Sequence, residues 1–349
     1  MEKIYVLHEN GAKSHYKGLE YLCKQNNIKV EYREFSIIKL FLKSIFKKDF
    51  KGLKKQFLNF LFLLNLLISK NKRIVFGIAP YDWRLIFLNK ILKNHTVYYH
   101  TSWVKWNRKF YPKKLFANLA LIEFWENFLR NKVKYIFSVS EYTKKEIIRN
   151  LRIEPQKINV VYHSYEDDIF SYSDRELGNR FLFVGRLEKE KGLDEILEFF
   201  IDNRKYNLTI VGDGKLKSVV IDISNKYPNI IYKGFISNKK ELAFIYNNHD
   251  YLLLNSKKTD YWEELFGMVI IEAMACGVIP IATKHKGPLE IIINNKTGFL
   301  IEEKNFIKFL QNFDFDNKEV LEKIKFNCIK YSKKFSVRNI SKKWKKVLE

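Results

Sequence analysis

The chain alternates short apolar runs with longer segments in which apolar residues recur every three or four positions. The short runs, typical of buried strands, are Ile4–Leu7, Arg73–Ile78, Val97–His100, Tyr135–Val139, Asn159–Tyr162, Phe181–Val184, Asn207–Val211, Ile230–Lys233, Tyr251–Leu254 and Ile279–Ala282. Helical periodicity follows most of them, as in Ser140–Asn150, Gly192–Phe200, Leu216–Lys226 and Met268–Cys276. Alternation of this kind predicts the α/β class, with parallel sheets covered by helices on both faces.

These strands are too numerous for one compact sheet, so the pattern predicts two Rossmann-like domains. The polar, acidic segment 164–178 interrupts the apolar pattern and is interpreted as the interdomain linker. The predicted domains are residues 1–165 and 166–330, followed by a C-terminal helix within 331–349. Residues Phe335–Leu348 have the pattern of an amphipathic helix with Lys and Arg on its polar side.

The charge is unevenly distributed along the 349 residues, whose formal net charge is +24. Residues 1–150 carry 30 Lys and Arg against 11 Asp and Glu, whereas residues 151–300 carry 20 against 21. The last 49 residues carry 13 against 7. The first half is therefore the cationic part, which indicates a polyanion or an anionic membrane surface as its partner.

The segment Lys39–Lys55 is the most basic stretch of that half. Lys39, Lys43, Lys47 and Lys51 recur every four residues, and apolar residues such as Phe46 lie mostly on another side of the helical wheel. A cationic amphipathic helix can lie in a membrane interface, or it can pack its apolar side on its own domain. The apolar run that follows, Phe57–Ile68, has 12 residues, fewer than the ~20 that a membrane span needs.

Composition argues against several other classes. Only three cysteines occur, far apart and without metal-ligand spacing, which argues against a disulfide scaffold or a zinc site and fits a reducing compartment. The first ten residues, MEKIYVLHEN, begin as a strand and lack the apolar core of a signal peptide, so a cytoplasmic location is expected. Asp314-Phe315-Asp316 has the form of a metal-binding motif but stands before a helix, where capping explains it better.

Two segments of the second half carry the chemistry. A strand, a glycine turn and a helix start lie within 181–192, where Arg186 and Lys191 add cations to the backbone N–H groups that such a turn presents to an anion. In 263–277, Glu264 precedes a helix that begins near Gly267, and Glu272 lies inside its apolar stretch. A buried glutamate is costly unless it is paired or bonded to a ligand. Carboxylates that accept hydrogen bonds from hydroxyls, together with backbone amides that donate them, are the groups that bind a sugar and a ribose.

The motifs that carry this chemistry occur together in a recognisable order and spacing. They are Gly185-Arg186-Leu187…Lys191-Gly192, Val211-Gly212-Asp213-Gly214, Lys233-Gly234-Phe235, Glu264…Glu272-Ala-Met-Ala-Cys-Gly277 and Lys296-Thr297-Gly298-Phe299-Leu300. The set resembles the retaining GT-B glycosyltransferases of family four and covers most of residues 140–300. The first half agrees more loosely, through Tyr98-Tyr99-His100-Thr101 and Phe137-Ser-Val-Ser140-Glu141-Tyr142-Thr143.

The resemblance implies the GT-B fold, in which two Rossmann-like domains face a central cleft and the C-terminal helix returns to the N-terminal, acceptor-binding domain. The implied catalytic residues are His100, Arg186, Lys191 and Glu264. Arg186 and Lys191 would hold the donor diphosphate and stabilise the leaving group, and no metal or other cofactor would be required. The implied donor-binding residues are Gly11, Gly185, Arg186, Lys191, Asp213, Gly214, Phe235, Ile236, Glu264, Leu265, Phe266, Gly267, Met268, Val269 and Glu272.

Further roles follow from the same resemblance. Glu264 would bind hydroxyls of the donor sugar, Glu272 the ribose, and residues near Gly234–Ser237 the base. His100 would face the reacting sugar. The first loop, His8–His15, is glycine-rich in the family but retains only Gly11 here. Because no carboxylate can be assigned as a nucleophile, a same-face substitution in which the departing phosphate deprotonates the acceptor is favoured over double displacement.

The sequence thus predicts a hexosyltransferase that uses a nucleotide sugar, with a UDP-sugar favoured over GDP-mannose. The expected acceptor is a glycan or lipid-linked glycan of surface polysaccharide or lipopolysaccharide assembly, at the inner face of the cytoplasmic membrane. A basic nucleic-acid-binding protein is the alternative suggested by charge, but no helix-turn-helix, zinc or RNA-recognition motif occurs. A membrane-docking scaffold without activity, a phosphorylase and a sugar-nucleotide epimerase explain the Glu264…Glu272 block less well.

Overall fold

The structure is a computed structural model that describes residues 1–9, 11, 13–107, 118–260 and 262–349. The described residues form two compact units, the first comprising Met1–His163 with Arg338–Glu349 and the second Ser164–Val337. Each unit is built on a six-stranded parallel sheet in the part of the chain that is described. The α/β class expected from the sequence is confirmed.

The first sheet has the strand order β2-β1-β3-β4-β5-β6. Its strands are β1 (Lys3–His8), β2 (Lys29–Glu34), β3 (Arg73–Gly77), β4 (Thr96–Thr101), β5 (Val133–Ser138) and β6 (Ile158–Val160). Its helices are α1 (Lys17–Gln25), α2 (Ile37–Phe46), α3 (Phe50–Ile68), α4 (Leu85–Leu92), α5 (Leu119–Asn127) and α6 (Glu141–Leu151). Successive residues of a strand point to opposite faces, so Tyr98 and Tyr99 of β4 enter two different buried cores.

The second sheet has the strand order β12-β11-β10-β7-β8-β9. Its strands are β7 (Arg180–Val184), β8 (Asn207–Val211), β9 (Ile230–Tyr232), β10 (Tyr251–Leu254), β11 (Ile279–Thr283) and β12 (Phe299–Ile301). Its helices are α7 (Leu193–Asp202), α8 (Lys217–Lys226), α9 (Lys239–Asn247), α10 (Met268–Ala275), α11 (Lys286–Ile291), α12 (Phe306–Asn312) and α13 (Lys318–Ser332). The helix α14 (Val337–Ser341) then leads into the C-terminal residues of the first unit.

The C-terminal segment is less regular than expected. The single amphipathic helix predicted over Phe335–Leu348 is wrong, because α14 ends at Ser341 and a 3₁₀ helix follows over Lys342–Val347. Trp344 and Val347, three residues apart, are both buried, and a 3₁₀ helix places such residues on one side. Trp344 contacts Phe137 of β5 in a tilted arrangement with ring centroids 4.5 Å apart, so this segment packs on the sheet of the first unit.

The polar composition of segment 164–178 suggested a linker between the domains. In the structure part of this segment is buried. Tyr165, Phe170 and Leu177 are buried, and the guanidinium of Arg175 donates to the carbonyl of Cys276 at 2.9 Å. The segment therefore belongs to the body of the second unit. A second difference lies before α13. The side chain of Asn317 caps this helix, and Asp314 instead accepts from the amide of Asp316 within the preceding turn.

The predicted continuous helix over Lys39–Lys55 is also wrong. It breaks between α2 and α3, where Lys48 adopts a φ of 52° and the Asp49 side chain accepts from the amide of Gly52 at 2.9 Å, which caps α3. Phe46 and Phe50 on either side of the break are 86% and 81% exposed. The apolar side of this segment is thus not packed on its own unit.

Candidate active site

The predicted donor residues of the second unit lie mostly at the carboxyl edge of its sheet. The chain adds β8 and β9 on one side of β7 and then returns to place β10 on the other side. The carboxyl ends of β7 and β10 therefore form a topological switch point, which is where open parallel sheets bind ligands. Gly185 and Arg186 follow β7 directly, and Glu264 stands in the loop that follows β10.

Lys191 and Glu264 form the centre of this edge. The ammonium of Lys191 contacts the Glu264 carboxylate, and it also lies 4.9 Å from the ring centroid of Trp262. The two side chains are only 12% and 14% exposed. Since a partly buried charge needs a partner, each of these two side chains offsets the cost of burying the other.

Arg186 differs from Lys191 in having no such partner. Its side chain is exposed, and among the described residues it makes no hydrogen bond or ion pair. The turn that holds it is set by backbone contacts, because the amide of Gly185 donates to the carbonyl of Val211 at 3.0 Å. A guanidinium on a fixed turn at a switch point is available to a phosphate group.

The turns after β7 and β8 pack against each other too closely for side chains. A Cβ at Gly212, whose φ is 151°, would lie 1.8 Å from the carbonyl oxygen of Gly185. A Cβ at Gly214 would lie 2.5 Å from the carbonyl oxygen of Leu187, whose amide donates to the carbonyl of Asp213 at 3.0 Å. The glycines of the Val211–Gly214 motif thus lock two loops of the predicted site together.

The start of α10 contributes backbone amides to the same region. Gly267 precedes it with a φ of 86°, and a Cβ there would also meet the Ile270 side chain at 2.8 Å. The amides of Met268 and Val269 stand in the first turn, where a helix has no internal acceptor for them. The first turn therefore presents N–H groups and a positive helix end to an anion or a hydroxyl.

The remaining predicted donor residues surround this centre. Leu265 is half-buried and Phe266 is buried in the loop before α10, while Asp213 and Gly214 follow β8. Phe235 and Ile236 follow β9, the edge strand of the sheet, and Phe235 is 72% exposed. These residues therefore follow the carboxyl ends of β8, β9 and β10, and their part in donor binding stays a prediction.

Glu272 is buried in α10 and has a polar neighbour. It is 8% exposed, and the Tyr246 hydroxyl donates to its carboxylate at 3.4 Å. Burial raises the pKa of Glu272 to about 7, against the opposing effects of Lys239 and the Tyr246 hydrogen bond. The sequence-based expectation that this glutamate is buried at a cost is therefore consistent with its surroundings.

Replacing Glu272 by glutamine is expected to stabilise the protein in a pH-dependent way. Because the folded pKa is raised above the ordinary 4.5, wild-type stability declines as pH rises from about 4.5 and levels off above about 7. The variant lacks this decline, so its free energy of unfolding at pH 8 should exceed that of the wild type by about 3 kcal/mol. Thermal unfolding of both proteins from pH 5 to 8 measures the effect. A difference that does not change with pH would contradict it.

The first unit has its own switch point, between β1 and β3. Three imidazoles, those of His15, His100 and His163, gather near the carboxyl edge of this sheet, and the rings of His15 and His163 have centroids 4.4 Å apart. Burial, with repulsion from His15 and His163, lowers the pKa of His100 well below 6.5. His100 is 4% exposed, and within the described part of the chain its Nε2 has no hydrogen-bond partner. A neutral imidazole with an unused nitrogen is suited to bind a hydroxyl.

Gly11 lies in the loop between β1 and α1, with a φ of 90°. A Cβ there would approach the Glu34 carboxylate to 3.1 Å. Gly11 therefore satisfies a local backbone requirement of the first unit, and its neighbours Asn10 and Ala12 lie outside the described residues.

Sequence reasoning missed a charged network at the same edge. Arg84 donates to Glu9 at 2.8 Å and to the Ser36 hydroxyl at 2.7 Å, and its guanidinium also holds the fully buried Asp82 at 2.6 Å. Glu9, Ser36 and Asp82 follow β1, β2 and β3 respectively. No motif marked them, because their association depends on three strands being adjacent in the sheet.

Sequence reasoning also missed the residues that hold the Glu264 loop. His285 is buried, and its Nδ1 accepts from the Glu264 amide at 3.4 Å. The carbonyl of Glu264 accepts from the Gly287 amide at 3.0 Å.

Within the described ranges, no group of three or more His, Cys, Asp or Glu side chains is placed to hold a metal ion.

Comparison with known proteins identifies the family. Residues 164–315 match the family described as Glycosyl transferases group 1, and residues 33–168 match Glycosyltransferase Family 4. The chain belongs to the group 1 glycosyltransferases of the GT-B fold. The resemblance inferred from the sequence motifs is confirmed at this level, and the two matches meet at residues 164–168 of the chain.

Individual relatives are more distant. An uncharacterized glycosyltransferase of Methanocaldococcus jannaschii is 30% identical over 208 residues, which cover 58% of this chain and 55% of the relative. The capsular polysaccharide biosynthesis glycosyltransferase CapM of Staphylococcus aureus is 28% identical over 193 residues, 49% of each chain. These matches therefore span about half the length of the curated relatives.

One solved structure can be superposed on nearly the whole chain. The crystal structure of HepE from Anabaena in complex with UDP has a TM-score of 0.67 and 14% sequence identity, and covers 99% of both chains. At this identity the likeness shows the fold, and it confirms the GT-B architecture that the sequence motifs implied.

Proposed function

We propose that the protein transfers a hexose from a nucleotide sugar to a hydroxyl of a glycan or lipid-linked acceptor, with retention of anomeric configuration. The observation that carries this proposal is the arrangement at the switch point of the second sheet. An unpartnered guanidinium, Arg186, follows β7, and the Lys191–Glu264 ion pair lies beside the loops after β7 and β10. The two cations are suited to bind a diphosphate, and the carboxylate is suited to accept hydrogen bonds from sugar hydroxyls.

Each residue of the edge is assigned a role in donor binding. Arg186 and Lys191 bind the diphosphate and stabilise the charge that develops on it, so that no metal is required. The Glu264 carboxylate and the first amides of α10 bind hydroxyls of the donor sugar. Glu272 accepts hydrogen bonds from the ribose, which favours its ionised form and offsets the effect of burial on its pKa.

Six further residues complete the assignment. Phe235 and Ile236 contact the base, while Asp213 and Gly214 shape the loop beside Arg186. His100 and Gly11 lie in the first unit, to which we also assign binding of the acceptor, while Gly11 itself is assigned to the donor, as the family resemblance implies. The neutral His100 imidazole donates to or accepts from a sugar hydroxyl.

The chemical step is a same-face substitution at the anomeric carbon. The bond from that carbon to the diphosphate oxygen breaks, and its electron pair remains on the phosphate. The acceptor hydroxyl oxygen bonds to the carbon on the same face, and its proton passes to the departing phosphate oxygen. No carboxylate is assigned as a nucleophile, so a covalent glycosyl adduct on any Asp or Glu would contradict this step.

The donor and acceptor classes rest on different support. The complex of HepE with UDP supports a UDP-sugar, with GDP-mannose as the alternative donor. The role of CapM in capsular polysaccharide biosynthesis supports capsule or other surface polysaccharide assembly. The basic first half, with 30 Lys and Arg against 11 Asp and Glu in residues 1–150, supports docking on an anionic membrane at its cytoplasmic face, where a lipid-linked acceptor is available.

A thermal-shift screen of nucleotides and nucleotide sugars, with a chelator present, tests the donor assignment. A uridine nucleotide at about 100 times its dissociation constant should add about 2.7 kcal/mol to the stability. Stabilisation by GDP and not UDP would select the mannosyltransferase alternative. No stabilisation by any nucleotide, together with salt-sensitive binding of duplex DNA, would favour the nucleic-acid-binding class instead.

A further inference from the structure

The polarity of helix α3 is partly inverted. Its inner face combines the polar residues Gln56 and Asn59, which are only 3% and 2% exposed, with the buried apolar residues Phe62 and Leu66. Large apolar side chains occupy its outer face. They are Phe57, Leu58, Phe60, Leu61, Leu64, Leu67 and Ile68, which are between 43% and 84% exposed. Helices on the surface of a protein in water normally have the opposite arrangement.

Hydrogen bonds fix this orientation. The buried carboxylate of Glu34, at the end of β2, accepts from Gln56 at 2.9 Å and from the exposed Lys55 ammonium at 2.7 Å. Asn59 donates to the Gln56 side chain at 3.1 Å. Rotating α3 to bury its apolar face would leave Glu34 buried without these partners, which is costly.

The exposed apolar surface extends beyond α3. From Phe57 to Ile68 it is about 17 Å long. Helices α2 and α4 pack against α3, and Ile38, Phe46 and Phe87 on them are 79%, 86% and 58% exposed. A continuous apolar surface of this kind marks an interaction site with a partner or a membrane.

Charge indicates which partner it is. Residues 37–68 contain seven lysines and one acidic residue, Asp49, whose carboxylate caps α3. All seven ammonium-bearing side chains are exposed. Two copies of this surface would bring like charges together, whereas an anionic bilayer offers hydrocarbon to the apolar side chains and phosphates to the lysines. Among the described residues no helix is long and apolar enough to cross a membrane.

We propose that the outer face of α3 inserts into the hydrocarbon boundary of an anionic membrane leaflet, with the exposed lysines of α2 and α3 at its headgroups. This deepens the proposed function by naming the surface that docks and by making apolar insertion, and not charge alone, the main attachment. Because Glu34 ends β2 and bonds Lys55, the first turns of α3 lie beside the carboxyl edge of the first sheet, to which acceptor binding is assigned.

Vesicle co-sedimentation of the full chain tests this proposal. The vesicles contain phosphatidylglycerol and phosphatidylcholine, and binding is measured at low salt and in about 1 M NaCl, where the screening length is about 3 Å. The wild type is expected to remain largely bound at high salt. Replacing Phe57, Leu61 and Leu64 by glutamine, which keeps helix propensity, should weaken binding at least tenfold at both salt concentrations.

Two control variants separate insertion from other effects. Glutamine at Val219, Ile221 and Phe244, which are exposed apolar residues of the second unit, should leave binding unchanged. Glutamine at Lys47, Lys51 and Lys54 should reduce binding at low salt with little effect in high salt. Circular dichroism and the thermal shift with UDP should be the same for all variants, so that failure of membrane binding is distinguished from failure of the donor assignment.

Two results would overturn the proposal. Complete release of the wild type in high salt, with the α3 variant binding as the wild type does, would mean that charge alone docks the protein. A wild-type dimer that the α3 variant converts to a monomer, without vesicle binding by either, would mean that a second copy covers this surface.

Discussion

Replacement of Arg186 by alanine is expected to reduce sugar transfer about 10²–10³-fold, mostly in kcat. Removing a preorganised group that stabilises charge developing in the transition state typically has an effect of this size. The folded protein should retain its stability, because the exposed guanidinium has no side-chain partner in the described structure. Release of the nucleoside diphosphate measures the reaction, and thermal unfolding measures the stability.

Two further substitutions sharpen this test. Arg186→Lys keeps the charge but loses the planar fork that binds two phosphate oxygens, so it should be intermediate, about tenfold slower than the wild type. Arg204→Ala removes another exposed arginine of the second unit, which lies over the ring of Tyr227, and should leave transfer unchanged. Full activity in Arg186→Ala would exclude the proposed role.

Local patterns were sufficient to predict most of the framework of the second unit. The runs Phe181–Val184 and Tyr251–Leu254 are uniformly apolar because central parallel strands are buried on both faces, and they form β7 and β10. Glycine had to occupy position 212, because any side chain there would clash with Gly185. The apolar runs are local, and the glycine at 212 is visible by its residue type although it contacts the turn after β7, so both leave a motif that the sequence shows directly.

Elements with weaker local patterns were missed. The strand β2 has the sequence KVEYRE, in which charged residues alternate with others at the edge of the sheet, so it has no apolar run. The strand β12 has only three residues. In both cases pairing with a neighbouring strand, and not the residues alone, decides the structure.

The electrostatic details of the site depend on long-range contacts. Lys191 and Glu264 are 73 residues apart, and the Arg84 network joins residues that follow three different strands. The inverted polarity of α3 likewise depends on Glu34 of β2. A helical wheel gives the spacing of polar and apolar residues but not which side meets the sheet, so the Lys39–Lys55 pattern alone left two interpretations open.

A double-mutant cycle on the Lys191–Glu264 pair should separate its structural contribution from its catalytic one. Lys191→Met leaves the Glu264 carboxylate without its cation at a site only 14% exposed. The second unit should lose about 1–3 kcal/mol of stability, the typical cost of an unpartnered buried group. Adding Glu264→Gln removes the charge and should restore most of that stability. Hydrogen exchange of residues 255–275, which comprise the loop after β10 and helix α10, localises the effect.

Transfer should behave differently from stability in this cycle. Each single variant is expected to lower kcat/KM at least about 100-fold. Lys191→Met loses a contact with the diphosphate, and Glu264→Gln loses a contact of the carboxylate with the sugar. The double variant should remain inactive although it is stable. Lys257→Met is the matched control, since Lys257 pairs with Glu195 at 2.6 Å in the same unit, and it should not affect transfer. If the double variant regained both stability and activity, Lys191 would serve only to hold Glu264, and Arg186 would be left as the one cation assigned to the diphosphate.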